Sequence, residues 1–212
     1  MTMYGIHCAS KIKFNPADLA HAVSVVGMIN PDEQLSRAAH RMAQIVVNTG
    51  STLVTDTTVG VNHAAFYGAM KGESNNPARP KCVLLIREDL YYNERKVERG
   101  EIRSKITNAH NHGVVITLSP ALFSDPGVPV IPIMKAALSG EIYVMSHANN
   151  ILGSARTVVS YANLFNRMVR VFGADGLSKP VNPRIVGVAE FPKGRVGEAL
   201  RRIIWELTRR EV

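Results

Sequence analysis

The sequence predicts an α/β protein: a Rossmann-like three-layer domain with a mostly parallel sheet and helices on both faces. Three observations predict it. Short apolar runs rich in Val and Ile recur at 22–26, 51–55, 82–86, 114–118, 141–145, 168–172 and 184–188, which is how strands covered on both faces read. Segments of helical length lie between them, at 31–48, 60–71, 94–109 and 154–167, and that alternation gives a parallel sheet. Glycines and short hydroxyl side chains collect where strands hand over to helices. A length of 212 residues suits one compact domain with a small appendage. We expect an N-terminal extension over 1–20 and a single domain over 21–212, its core near 20–173, closed by a C-terminal strand and helix within 184–210.

Taken in order, the first helix has a marked start. Asn30-Pro31-Asp32-Glu33 offers Asn at the N-cap, Pro at the first helical position and acids in the first turn. Asn48-Thr49-Gly50 marks its end. Residues 74–80 and 125–129 read as surface loops from their Pro, Gly, Asn and Asp content. The stretch 87–105 mixes six basic with five acidic residues, the pattern of a solvated helix with internal ion pairs. The last helix, about 196–208, sets Leu200, Ile203, Ile204 and Leu207 on one face, with Arg201, Arg202, Arg209 and Arg210 largely off it. That is a docked helix with a basic outer face.

Composition narrows the function classes. Apolar residues at 46% and charged residues at 20% exclude a disordered or collagen-like chain. No apolar run approaches the roughly 18 residues of a membrane span, and the first residues lack the apolar core of a secretory signal. Cys8 and Cys82 alone make neither a disulfide framework nor a zinc site, so a cytoplasmic location is the simplest expectation. A formal net charge of +8 favours polyanionic partners without identifying one.

In an open parallel sheet, ligands bind where strands end and helix N-termini turn their free N–H groups outward. Four junctions therefore matter: Val26-Gly27-Met28-Ile29-Asn30, Asp56-Thr57-Thr58-Val59-Gly60-Val61-Asn62, the segment before Met134-Lys135, and Leu152-Gly153-Ser154-Ala155-Arg156-Thr157. None is a P-loop or a dinucleotide fingerprint. Turn geometry explains each glycine equally well, and Asp56 and Asn62 also fit as caps of the next helix. His110-Asn111-His112 offers two metal ligands with no third marked, against a plain polar turn. Cys82 reads as a buried small hydrophobe, and Cys8 lacks the neighbours of a nucleophile. No catalytic triad or nucleophile elbow stands out, and no cofactor is expected.

Read together, these segments resemble the Rossmann-like domain of the DNA-processing protein A (DprA, or Smf) family, within a wider superfamily that includes the lysine-decarboxylase-like LOG branch. Residues 23–27 resemble the family's opening strand and glycine. Gly60-Val61-Asn62-His63-Ala64-Ala65-Phe66-Tyr67-Gly68-Ala69-Met70 follows G-I-D-x-x-A-H-x-G-A-L in unbroken register. Leu138-Ser139, the strand 142–145, Gly153-Ser154-Ala155-Arg156-Thr157 and Asn166-Arg167-Met168-Val169 follow L-S, strand, S-G-S-L-x-T and G-R-x-V. The resemblance covers about 20–173. Departures are equally specific: Met28-Ile29-Asn30 stands where the family has an arginine, Asn62 replaces its Asp, Phe66 its His, and 130–135 carries one charge where the family has R-N-R. The LOG motif P-G-G-x-G-T-x-x-E is unmatched at 151–160, which lacks the carboxylate that glycosidic chemistry needs.

The resemblance implies a non-enzymatic protein that binds single-stranded DNA in DNA processing or recombination. Backbone N–H groups at Gly27, Gly60 and Gly153 would hold phosphates, with hydroxyls from Thr57, Thr58, Ser154 and Thr157 and charge from Lys135 and Arg156. Asn30 and Asn62 complete the expected set. Two alternatives stand beside it: a sensor of a small nucleotide or nucleotide-derived signal in the same pocket, and an assembly subunit with a vestigial pocket. The expected partners are single-stranded nucleic acid or a nucleotide, no membrane, and further copies of the chain in a homodimer or higher homo-oligomer.

Overall fold

All but the last of the apolar runs form strands. The computed structural model describes residues 2–93, 100–147, 151–179 and 182–209. Its strands are β1 (Tyr4–His7), β2 (Val23–Gly27), β3 (Leu53–Asp56), β4 (Cys82–Arg87), β5 (Val114–Leu118), β6 (Glu141–Met145) and β7 (Met168–Phe172). Its helices are α1 (Glu33–Asn48), α2 (Val61–Lys71), α3 (Glu88–Tyr92), α4 (Gly100–His112), α5 (Val130–Leu138), α6 (Gly153–Leu164) and α7 (Gly194–Thr208). The strands make one sheet in the order β1-β5-β4-β3-β2-β6-β7. Every neighbouring pair is parallel except β1 with β5.

Strand alternation supplies two cores, one on each face. Val83 and Leu85 of β4 and Val114, Ile116 and Leu118 of β5 point to the side covered by α5, α6 and α7. Cys82, Leu84 and Ile86 point to the side covered by α1, α2 and α4. This is the three-layer α/β architecture expected. Each such fully buried aliphatic side chain contributes about 1.5–3 kcal/mol, which is why the central strands tolerate so few polar residues. Ser24 is one, and its hydroxyl is spent internally on Val54 O at 3.0 Å and Ser139 Oγ at 2.8 Å.

Several boundaries differ from the sequence reading. Residues 184–188 are not a strand: Pro183–Val186 is a 3₁₀ turn, because Asn182 accepts from Arg184 N at 3.0 Å and Pro183 fixes the first helical position. α1 starts at Glu33, capped by Asp32, whose carboxylate accepts from Leu35 N at 2.8 Å, while Asn30 stays exposed. Acid beats amide here because a carboxylate also complements the helix dipole. Residues 2–21 contribute β1 and a 3₁₀ turn, Pro16–His21, whose Leu19 enters the core. Of the helix read at 94–109, residues 94–99 lie outside the described residues, as does Arg210 of the basic face. His110 and His112 close α4 rather than forming a loop turn. No described helix is long and apolar enough to cross a membrane.

Candidate functional site

The strand order reverses between β2 and β6, so the crevice at their C-terminal ends is the topological switch point. Beside it lies a cavity of about 310 Å³ over the ends of β2, β3 and β4, bounded by α5 and α6. Its walls are largely apolar, from Val26, Ile29, Leu85, Phe123, Ile131 and Val158. Its polar lining includes Asp56, Thr57, Thr58, Asn62, Lys135 and Ser154. Five of the sequence-derived site residues are thus brought together here: Thr57, Thr58, Asn62, Lys135 and Ser154.

At the β3–α2 junction Asp56, Thr58, Asn62 and Lys135 are spent on one another. Lys135 Nζ, buried at 1% exposure, donates to Asp56 Oδ2 at 3.1 Å and Asn62 Oδ1 at 3.0 Å. Asp56 also accepts from Thr58 N at 2.7 Å and from the Thr58 hydroxyl, and Asn62 Nδ2 donates to Thr58 Oγ1 at 2.5 Å. Burial pushes the Asp56 carboxyl up, but the Lys135 ammonium and the Thr58 donors outweigh it and hold Asp56 below the ordinary aspartate range. The lysine expected to meet phosphate is therefore already paired with a carboxylate at 3.1 Å. At Gly60, φ is 77° and a Cβ would lie 2.2 Å from Ile29 O. Glycine there serves the close approach of two loops. The first N–H of α2, Val61 N, is given to Met28 O at 3.2 Å.

Lys105 completes this junction from below, and sequence reasoning missed it. It is fully buried, donates to Thr58 O at 3.1 Å and Thr57 O at 3.4 Å, and lies 3.6 Å from Glu101. Burial pushes its ammonium down, against the pull of Glu101 and Asp56. A signal was present: Ile102, Lys105, Ile106 and Ala109 fall on one helical stripe, so this lysine sits in the apolar face. Arg87 was missed too. It ends β4, lines the cavity, and reaches over the Phe123 ring at 5.7 Å while paired with Asp89. The strand-end rule applied to 82–87 would have found it.

The other junctions differ. The α1 N-terminus is occupied by Asp32, which His147 Nε2 meets at 2.7 Å from the end of β6. The hydrogen bond from Leu35 N, with the help of His147, holds that carboxyl below its usual range. Gly27 has no room to spare: a Cβ would lie 2.7 Å from both Met145 O and a Val61 methyl. α5 begins at Pro129 without a side-chain cap. The start of α6 is uncapped among the described residues. Leu152 offers no side-chain acceptor to the first-turn N–H groups, and a Cβ on Gly153, at φ 58°, would meet nothing within 4 Å. Arg156 is exposed and makes no ion pair among the described residues. Ser154 Oγ donates to Gly27 O at 3.3 Å, which ties α6 to the switch point, and Thr157 is half-buried behind it.

Among the described residues no group of three His, Cys, Asp or Glu is placed to hold a metal ion. Cys82 is buried, and burial pushes its thiol up to about 12, far from a reactive thiolate.

These features define a Rossmann-like α/β domain with a cavity at the carboxyl ends of its strands. Two solved structures share that fold. DNA processing protein A from Helicobacter pylori, described for its unique single-stranded DNA binding mode, matches with a TM-score of 0.55 at 14% identity, over 80% of this chain and 71% of that one. DNA processing protein A from Streptococcus pneumoniae matches with a TM-score of 0.52 at 17% identity, over 80% of this chain and 54% of that one. No sequence-family profile matches the chain, and no curated protein matches it in sequence. The fold is DprA-like.

Proposed function

We propose that the protein binds single-stranded nucleic acid without catalysing a reaction on it, with the α6 N-terminus as a backbone contact. The observation that carries this reading is the start of α6: first-turn N–H groups with no side-chain cap among the described residues, Gly153 with nothing near its Cβ position, and the exposed Arg156 guanidinium in the first turn, all at the switch point of a DprA-like fold. The test is fluorescence anisotropy of a labelled single-stranded oligonucleotide at about 50 and about 200 mM salt. Affinity is expected to fall about tenfold or more across that range. Absence of binding at both salts removes the reading.

A second reading rests on a different observation. The 310 Å³ cavity has apolar walls and a lysine already paired with Asp56, a lining better suited to a nucleobase-sized ring than to free phosphate. It supports a small nucleotide or nucleotide-derived ligand. Binding of such a ligand with weak salt dependence, and none of the oligonucleotide, would favour it.

A further inference from the structure

Positive charge is placed unevenly along the chain. Residues 153–212 hold eleven of the 25 Lys and Arg but only five of the 17 Asp and Glu, so the first 152 residues are close to balance. α7 and its C-cap contribute four of these arginines, Arg195, Arg201, Arg202 and Arg209, against Glu198 and Glu206. Its inner face, including Leu200, Ile203, Ile204 and Leu207, is buried. Its outer face exposes Arg195, Arg202 and Arg209, spaced by seven residues. Seven residues fall 20° short of two turns, so the three arginines form one row about 20 Å long. The Arg202 side chain is 81% exposed and pairs with Glu206 at 2.9 Å. Glu198 also lies on this face, and with Arg201 counted the face remains net positive.

Aromatic rings flank the row. Trp205, the chain's single tryptophan, is 47% exposed. Arg209 holds a left-handed C-cap at φ 56°, where glycine is the usual residue, and its guanidinium lies 4.9 Å from the Trp205 ring centre. Arg201 lies 4.5 Å from the Phe191 ring centre. Along the other flank a groove of about 580 Å³ lies between Thr2, Met3 and Tyr4 on one side and Arg195, Glu198, Arg202 and Glu206 on the other. None of these α7 residues lines the cavity at the strand ends.

We propose that the outer face of α7 is a second contact surface for single-stranded nucleic acid, with the arginine row set against phosphates and Trp205 stacking a base. The inference rests on the reading that the chain binds single strands. Charge decides the occupant: a second copy would set a net-positive face against itself, and an apolar partner would strip water from arginines without pairing them. A single strand supplies both anions and π-faces, the pair of features that arginine rows and exposed aromatics recognise.

Because Trp205 is the lone tryptophan, its emission reports this face directly. The experiment titrates the intact protein with unlabelled oligothymidylate while following Trp205 emission, in parallel with anisotropy of a labelled strand. Saturable quenching at the anisotropy midpoint is expected. Arg195→Gln/Arg202→Gln/Arg209→Gln should weaken binding about tenfold and lower the salt slope by about 2, and Trp205→Ala should weaken it about fivefold or more, with Trp205→Phe close to the parent. Binding by anisotropy with unchanged Trp205 emission removes the α7 surface and leaves the single-strand reading intact. Absence of binding by both readouts removes both. Emission that changes with protein concentration alone, together with a doubled mass in light scattering, assigns the face to a second copy and overturns the inference. Should the triple variant lose its fold by circular dichroism, quenching in the parent protein decides.

Discussion

The junctions that open α2 and α6 look alike in sequence and differ in what their polar groups are free to do. Both place glycine at or beside the helix start, with short hydroxyl side chains close by. At α2 every group named is already engaged: Asp56 with Lys135 and Thr58, Asn62 with Lys135 and Thr58, Val61 N with Met28 O, and two carbonyls with Lys105. At α6 the first turn has no side-chain cap among the described residues, and its arginine is exposed. An anion site needs unspent donors and uncompensated charge, so the same residue types build scaffold in one place and a candidate contact in the other. Composition of a loop cannot distinguish the two. The identity of what packs beneath it does.

The contrast predicts that damage at α2 is structural. Lys135→Met leaves Asp56 buried without its counter-charge and should cost about 3–5 kcal/mol in a urea titration. Lys135→Met/Asp56→Leu should recover most of that loss, since an apolar pair of similar volume removes both charges together. A single variant as stable as the parent would mean the pair is not the keystone of the junction. Acid tests the same contact. Asp56 titrates lower in the folded protein than in the unfolded chain, so its stabilising effect is full above the unfolded value and is lost as pH falls through the folded one. Stability should therefore drop below about pH 4, and Asp56→Asn should flatten that drop while lowering stability at neutral pH.

Alanine at the two glycines sharpens the comparison further. Gly60→Ala drives a Cβ into the Ile29 and Met28 carbonyls at 2.2 and 2.5 Å and should cost about 2–4 kcal/mol from strain plus overpacking. Gly153→Ala meets open space and carries only the left-handed penalty of about 1–2 kcal/mol. Thermal unfolding of both variants checks the order. Equal losses would show that backbone conformation alone, and not the loop contact, makes Gly60 necessary.

Much of the fold was legible in the sequence because buried parallel strands advertise themselves as Val- and Ile-rich runs. The run at 184–188 misled for a local reason: Asn182 and Pro183 start a helical turn that periodicity over five residues cannot see. β1 went unread because Tyr4–His7 is four residues long and owes its strand state to β5. The site was legible at the level of which junctions matter and not of what each residue does. Lys135 reads as a free cation until Asp56, 79 positions away, is found against it. Long-range pairing of that kind is set by the packing of α5 over β3 and leaves no trace in either segment alone.

The smallest expected change in stability belongs to a residue proposed to take part in binding. Arg156 is exposed and unpaired among the described residues, so Arg156→Ala should alter unfolding free energy by no more than about 0.5 kcal/mol. If the α6 start holds a phosphate, the same variant should weaken oligonucleotide binding about threefold to tenfold and reduce the salt slope by about 0.7, the increment for one contact on a single strand. Arg156→Lys separates charge from shape: it should retain the slope, since the charge remains, and lose part of the affinity, since the planar fork is gone. An alanine variant with unchanged affinity and slope would strip Arg156 of its role and leave α6, like α2, as scaffold.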